Sequence, residues 1–153
     1  MNALTNLFAL DCIALDSPAN NRADAFAAAG ELFSQHAGID SNAVVGFLNA
    51  REDLGSTALG AGVAIPHGRV KGLKQPSAAF MKLKNPIEFA APDGEPVSFL
   101  IFLLVPEKAT QQHLEILSSI AQLLSDADAR QFLSSSSEPQ KVCEFLQQWG
   151  LPQ

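Results

Sequence analysis

The chain reads as an α/β protein, a single domain with a mixed parallel and antiparallel sheet flanked by helices on both faces. Three observations predict this. The run Val97 to Val105 (VSFLIFLLV) is apolar throughout and closed by Pro106, the pattern of a central strand buried on both faces. Segments with apolar residues at three- and four-residue spacing stand before and after it and read as helices. Between them lie shorter extended stretches bounded by proline, glycine and asparagine, so strands and helices are interleaved.

In chain order, Cys12 to Leu15 is a plausible first strand, ended by Asp16-Ser17-Pro18. Asn20 or Asn21 then caps a helix running to about His36, with Phe26, Ala29, Leu32 and Phe33 as its buried stripe. Gly38 ends it, and Asp40 or Ser41 starts a second helix whose stripe is Val44, Phe47 and Leu48. Gly62 to Gly68 reads as a short buried strand. Ala78 to Leu83 alternates as a half-exposed strand, Asn85-Pro86 is a turn, and Ile87 to Phe89 an edge strand. Beyond Pro106, Thr110 caps a helix carrying Leu114, Leu117, Ile120, Ala121 and Leu124. Asp126 to Leu133 and Glu138 to Trp149 are helical, separated by a serine loop, Ser134 to Ser137.

The 153 residues are enough for one domain, 1–153, with a core from about 7 to 146, and no linker or internal repeat divides it. Sixteen acidic against ten basic residues give a net charge of −6. Without a local basic patch, that balance argues against nucleic acid as a partner. The two cysteines, Cys12 and Cys143, have no CxxC spacing, and the three histidines no paired-ligand spacing, so neither a disulfide framework nor a metal site is expected. The N-terminal stretch lacks a basic n-region and Asp11 interrupts its apolar character, so it is not read as a signal peptide. The nine apolar residues at Val97 are half of a membrane span, and a cytoplasmic location is expected.

Chemistry concentrates in one stretch, Arg51 to Arg69 (REDLGSTALGAGVAIPHGR). Pro66 fixes its own φ and pushes Ile65 into an extended conformation, which delivers His67 at a strand end. Gly68 leaves room beside the imidazole, and Gly55, Gly60 and Gly62 leave backbone amides open to an anion. The spacing is neither a Walker A loop nor a dinucleotide fingerprint. A neutral imidazole flanked by Pro and Gly, with Arg51 and Arg69 close in sequence, suits phosphate chemistry. Arg51 falls on the buried stripe of its helix, where it either covers the core edge, or pairs with Glu52 or Asp53, or acts as an anion clamp. His113 occupies the first turn of its helix, where the helix N-terminus and partial burial favour a neutral ring with one proton to donate. His36, in a last turn, reads as a solvent-facing helix end.

Those residues carry a resemblance. GSTALGAGVAIPHGR, preceded by Arg51-Glu52 and followed by FLLVPEKATQQHLEILSSIAQLL, resembles the enzyme IIA domain of the mannitol/fructose type of the bacterial phosphotransferase system, and within it the nitrogen-regulatory subgroup. The likeness runs from about Leu7 to Phe145. It implies that His67 is the phosphorylated histidine, His113 the second active-site histidine and Arg51 the active-site arginine. It further implies a cytosolic carrier accepting phosphate from a small histidine phosphocarrier of the HPr or NPr kind, with no cofactor or metal. Regulated targets in the family range over potassium transport, sensor kinases and nitrogen or carbon metabolism. Ser56, Thr57 and Gly68 are further phosphate-binding candidates. The alternatives are a sugar-specific enzyme IIA that passes phosphate to a separate IIB partner, and a non-catalytic module that binds partners without transfer.

Overall fold

The computed structural model describes residue 4 and residues 6–108 and 110–149. The ends of the 1–153 span, including most of Met1 to Thr5, lie outside the described residues. Eleven elements follow one another: β1 (Phe8–Ser17), α1 (Arg22–Ala37), α2 (Ser41–Glu52), β2 (Ala58–Gly60), β3 (Val63–Ala64), β4 (His67–Val70), β5 (Ser77–Ile87), β6 (Val97–Pro106), α3 (Gln111–Ser125), α4 (Ala127–Ser135) and α5 (Pro139–Gln148). The strands form one mixed sheet ordered β1-β5-β6-β3-β2, with β4 also paired to β6. β1 runs parallel to β5, β5 antiparallel to β6, and both β3 and β4 parallel to β6.

The apolar run of β6 is central because both of its faces are covered. Phe99, Ile101, Leu103 and Val105 pack with Ile116, Ile120 and Leu123 of α3, Leu133 of α4 and Val142 and Leu146 of α5. Leu100, Phe102 and Leu104 turn the other way, onto Phe26, Ala29 and Phe33 of α1 and Val44 and Leu48 of α2. This alternation is the period of two of a strand, and the unbroken run arises because each side has its own helical layer. No helix among the described residues is long and apolar enough to cross a membrane.

The helix starts follow the capping residues. Asn21 accepts from the Asp24 amide at 2.8 Å, Asp40 from Ala43 at 3.0 Å and Asp126 from Ala129 at 2.9 Å. Gly38 closes α1 in a left-handed conformation, with φ of 70°.

Several strand boundaries differ from the sequence expectation. β1 extends from Phe8 to Ser17 rather than Cys12 to Leu15, because pairing to β5 and an irregular register between Phe8 and Ile13 absorb residues that break alternation. Asn85-Pro86 does not turn the chain, and Ile87 to Phe89 is no separate strand. β5 runs through to Ile87, with its register against β6 shifting between Lys82 and Ile87, and a proline is tolerated at such an irregularity. Ser134 and Ser135 finish α4 instead of forming loop. The stretch expected as one strand from Gly62 to Gly68 is β3 and β4, divided at Ile65-Pro66. The path beside β6 is nonetheless continuous, for the Ser98 and Leu103 amides donate to Gly62 and Pro66 carbonyls at 2.7 and 3.0 Å. Pro66 lacks the N–H that would keep the ladder unbroken. His67 therefore opens a strand rather than ending one.

Candidate functional site

β4 pairs with β6 along one edge, His67 lying opposite Leu103, and its other edge has no strand partner among the described residues. Gly68 and Val70 are buried, whereas His67 is half-buried and Arg69 exposed. Since alternate residues share a face, His67 and Arg69 point the same way. A cavity of about 430 Å³ opens there, walled by the end of α2 (Phe47, Ala50, Arg51, with Leu54 beyond it), by β4, by Leu103 and Val105, and by His113, Leu114 and Leu117 of α3. Arg51, His67, Gly68 and His113 thus meet around one space.

The two imidazoles are held in opposite tautomers. His67 Nδ1 lies 2.8 Å from the Ile65 carbonyl, which can only accept, so the ring proton sits on Nδ1 and Nε2 carries a free lone pair. His113 Nδ1 lies 3.2 Å from the Thr110 amide, which can only donate, so neutral His113 has its proton on Nε2. The Thr110 to His113 bond puts the histidine where a capping box ordinarily has Glu or Gln, three residues after the cap. His113 is buried.

Burial is the main influence on His67 and holds its pKa below the ordinary histidine value. The Ile65 bond opposes this, the Arg51 guanidinium reinforces it, and the Glu52 carboxylate opposes it. The ring is thereby kept neutral with an available Nε2. Arg51 sits in the last turn of α2 and its Nη1 donates to the Gly55 carbonyl at 2.8 Å. It pairs with neither Glu52 nor Asp53. Glu52 turns inward instead, buried, and accepts from the Thr57 amide at 2.8 Å and the Thr57 hydroxyl at 2.7 Å. That pair of hydrogen bonds ties the turn after α2 and fixes the carbonyl against which Arg51 rests.

Ser56 and Thr57 do not join the cavity. The Thr57 hydroxyl serves Glu52, and the Ser56 hydroxyl donates to the Phe89 carbonyl at 2.7 Å. Nor is the Gly60-Ala61-Gly62 turn an anion cradle, since the Asp93 carboxylate already takes the Ala61 amide at 2.9 Å. Gly68 has a different use from the expected space beside the imidazole. A Cβ there would stand 3.0 Å from the Phe47 carbonyl oxygen and 3.1 Å from its carbon, so glycine lets α2 close on β4. Arg69 was noted from sequence only as a guanidinium close to His67, and the leucines at 54 and 114 were not assigned to the site. Arg69 stands two residues after His67, a signal that becomes readable once the strand is known to begin at the histidine. Neither arginine forms an ion pair among the described residues.

Away from the cavity, His36 Nδ1 pairs with the Asp11 carboxylate at 2.9 Å. The thiols of Cys12 and Cys143 are free and buried, and burial, reinforced by Asp11, pushes Cys12 up to about 12.

A neutral nucleophilic nitrogen, a neutral ring-proton donor and an unpaired guanidinium around one space are suited to a group with several anionic oxygens. Comparison with known proteins points to the same chemistry. The model of the family described as "Phosphoenolpyruvate-dependent sugar phosphotransferase system, EIIA 2" matches residues 6–149. The chain is 48% identical over 107 residues, 70% of each chain, to a nitrogen regulatory protein of Pseudomonas aeruginosa. It is 36% identical over 143 residues, 94% of each chain, to a nitrogen regulatory protein of Bradyrhizobium diazoefficiens. The crystal structure of nitrogen regulatory protein IIA-Ntr from Neisseria meningitidis is similar with a TM-score of 0.88 at 42% identity, covering 93% of this chain and 97% of that one. With fold, family model and relatives in agreement, the chain belongs to the type 2 enzyme IIA family of the phosphoenolpyruvate-dependent phosphotransferase system.

Proposed function

We propose that the chain is a phosphoryl carrier that receives phosphate on Nε2 of His67 from the phosphohistidine of a small HPr- or NPr-like protein, and that its phosphorylation state regulates target proteins. The observation that carries this is the pairing of tautomers across the cavity, a lone pair on His67 Nε2 and a donor on His113 Nε2, with Arg51 at the end of α2 lining the same space.

The His67 Nε2 lone pair attacks phosphorus while the phosphorus–nitrogen bond to the donor imidazole breaks, and that electron pair returns to the donor ring. No proton has to leave His67, because its Nδ1–H stays on the Ile65 carbonyl. That bond strengthens as the ring acquires positive charge. The transition state spreads negative charge over three equatorial oxygens, so catalysis is positioning and electrostatics. Arg51 supplies a planar fork of donors and His113 one N–H. Among the cavity-lining residues there is no carboxylate to activate water, which suits a phosphohistidine meant for onward transfer. Phosphate adds about two negative charges to a surface that otherwise presents two arginines, and this inversion is a sufficient basis for a partner switch. On this reading the chain works in the cytoplasm, beside its phosphocarrier.

The relatives named nitrogen regulatory proteins favour the regulatory reading over sugar transport. The test is intact mass after incubation with a phosphoenolpyruvate-driven relay, with a nitrogen-type and a sugar-type carrier in parallel. One acid-labile phosphoryl gained mainly from the nitrogen-type carrier, and none by His67→Ala, is the expected result. Preference for the sugar-type carrier would assign the chain to sugar transport and onward transfer to a IIB partner. Full phosphorylation of His67→Ala would overturn the assignment of the nucleophile, and no transfer from either carrier would leave a partner-binding module.

A further inference from the structure

A second cluster of reactive side chains lies apart from the phosphate cavity, where the bulged part of β1 meets the end of α1. Asp11, Cys12 and His36 each offer one ligand atom, and the three atoms lie within 4.8 Å of one another. We propose that this is a binding site for a divalent transition-metal ion with the preferences of zinc, held by the Asp11 carboxylate, the Cys12 thiolate and His36 Nδ1, with solvent completing the tetrahedron.

Four features of the molecule support the site. The donor set is the first: one oxygen, one sulfur and one imidazole nitrogen suit a borderline-soft ion and are a poor match to calcium or magnesium, which take oxygen ligands. The second is backbone geometry. Adjacent residues of a regular strand point to opposite faces, yet Asp11 and Cys12 both reach the end of α1, because the register of β1 against β5 is irregular between Phe8 and Ile13. Bulges re-aim side chains in this way and recur beside functional sites.

The third feature is electrostatic. His36 stands in the last turn of α1, a helix of 16 residues, where the C-terminal end of the dipole favours a cation. Asp11 adds a full negative charge, and the Cys12 thiolate a second once its proton leaves for solvent on metal binding, so a doubly charged ion is neutralised. The fourth is access with anchorage. Cys12 is buried beneath, whereas the side chains of His36 and Asp11 are 33% and 65% exposed, so an ion enters from solvent and is gripped from the core. His36 and Asp11 are already in contact at 2.9 Å, close to the separation of two ligands on one ion. With bonds of about 2.0 Å to nitrogen and oxygen and 2.3 Å to sulfur, tetrahedral donors stand roughly 3.3–3.5 Å apart, so the His36 and Asp11 pair opens by a few tenths of an ångström and the thiol, within 4.8 Å of both, closes on them. Spacing in sequence conceals the site, because its donors come from two elements and are neither CxxC nor HxxxH.

An ion there clips β1 to α1 and stabilises the folded chain by mass action. The test uses the full chain, freed of metal by chelation, titrated with cobalt(II) and separately with zinc(II). Expected are one cobalt per chain with a thiolate-to-cobalt charge-transfer band and the visible bands of a tetrahedral ion, and a rise in Tm with zinc. Cys12→Ser loses the charge-transfer band, while His36→Gln, a substitution at a partly exposed position that leaves the fold intact, loses most of the affinity and the Tm rise. Absence of the band in the wild-type chain would overturn the site, as would a band that survives in Cys12→Ser, which would place the thiolate at Cys143. Equal zinc affinity in His36→Gln would overturn it without relying on the buried cysteine.

Discussion

At the scale of single residues, the decisive feature is which nitrogen of each ring is protonated. Two backbone groups set it: the Ile65 carbonyl, which forces the proton of His67 onto Nδ1, and the Thr110 amide, which forces that of His113 away from Nδ1. Sequence pattern singled out His67 through Pro-His-Gly, and the resemblance pointed to His113 in a helix first turn, but neither gave the tautomers, because each depends on how the ring turns onto a backbone group two or three residues away. It likewise offered Ser56 and Thr57 as phosphate ligands on residue type alone, while their hydroxyls are spent on Phe89 and Glu52. His67 also leaves a mark on stability. Its folded-state pKa lies below the ordinary value of about 6.5, chiefly through burial, so as pH falls through 6.5 the unfolded chain takes up a proton that the folded ring refuses. Proton uptake by the unfolded state lowers folding stability on the acid side and leaves it unaffected above. Urea unfolding at pH 7.5 and at pH 5.5 should therefore show the wild type losing more stability across the interval than His67→Gln. Identical losses in the two proteins would mean that the ring is freely protonated in the folded chain.

At the scale of elements, the site is a meeting of three termini: the last turn of α2, the first residue of β4 and the first turn of α3. The helices were legible in the sequence because caps and stripes are local signals. Asn21, Asp40 and Asp126 cap as their residue types suggest, and Phe26, Ala29 and Phe33 face the core. The strands were less legible. Alternation fails wherever a register shifts, as in β1 before Ile13 and in β5 after Lys82, and those shifts are settled by pairing between distant segments. The approach of α2 to β4 was also hidden, since Gly68 read as space for a ligand when it is space for Phe47. That close approach carries Arg51 into place. Gly68→Ala would push a methyl against the Phe47 backbone at about 3 Å, so α2 has to move, with a loss of about 1–3 kcal/mol. Because a misplacement of a positioning group by a fraction of an ångström slows transfer, the same variant should take up phosphate more slowly at saturating donor. Thermal unfolding and single-turnover transfer together check this. Unchanged stability would mean that the α2 and β4 contact is looser than the glycine implies.

At the scale of the whole molecule, a net charge of −6 surrounds a cavity whose own charged groups are Arg51 and Arg69. For the proposed carrier function, an acidic protein with a locally basic mouth would draw a phosphorylated donor to that mouth and resist it elsewhere. The rim is apolar as well as basic. Leu54 is 84% exposed and Leu114 is 60% exposed, and both line the cavity, one at the exit of α2 and one on α3. Large exposed leucines flanking one cavity are the pattern of a protein-docking surface, with cations inside and apolar residues outside. Substitution of both by glutamate removes apolar area that the docked carrier would bury and sets two negative charges against an incoming phosphoryl group. The loss of each leucine side chain from such a contact is worth about 1.5 kcal/mol or more, roughly tenfold in affinity. The Leu54→Glu/Leu114→Glu protein should therefore show a KM for the phosphorylated carrier raised tenfold or more. Its stability should stay within about 0.5 kcal/mol of the wild type, because neither side chain supports the core. Transfer from small phosphoramidates, which meet the added charges but bury no apolar rim, should lose less than transfer from the carrier. An equal loss with both donors would place these leucines in the architecture of the catalytic cavity itself, and an unchanged KM for the carrier would move the docking surface to another part of the molecule.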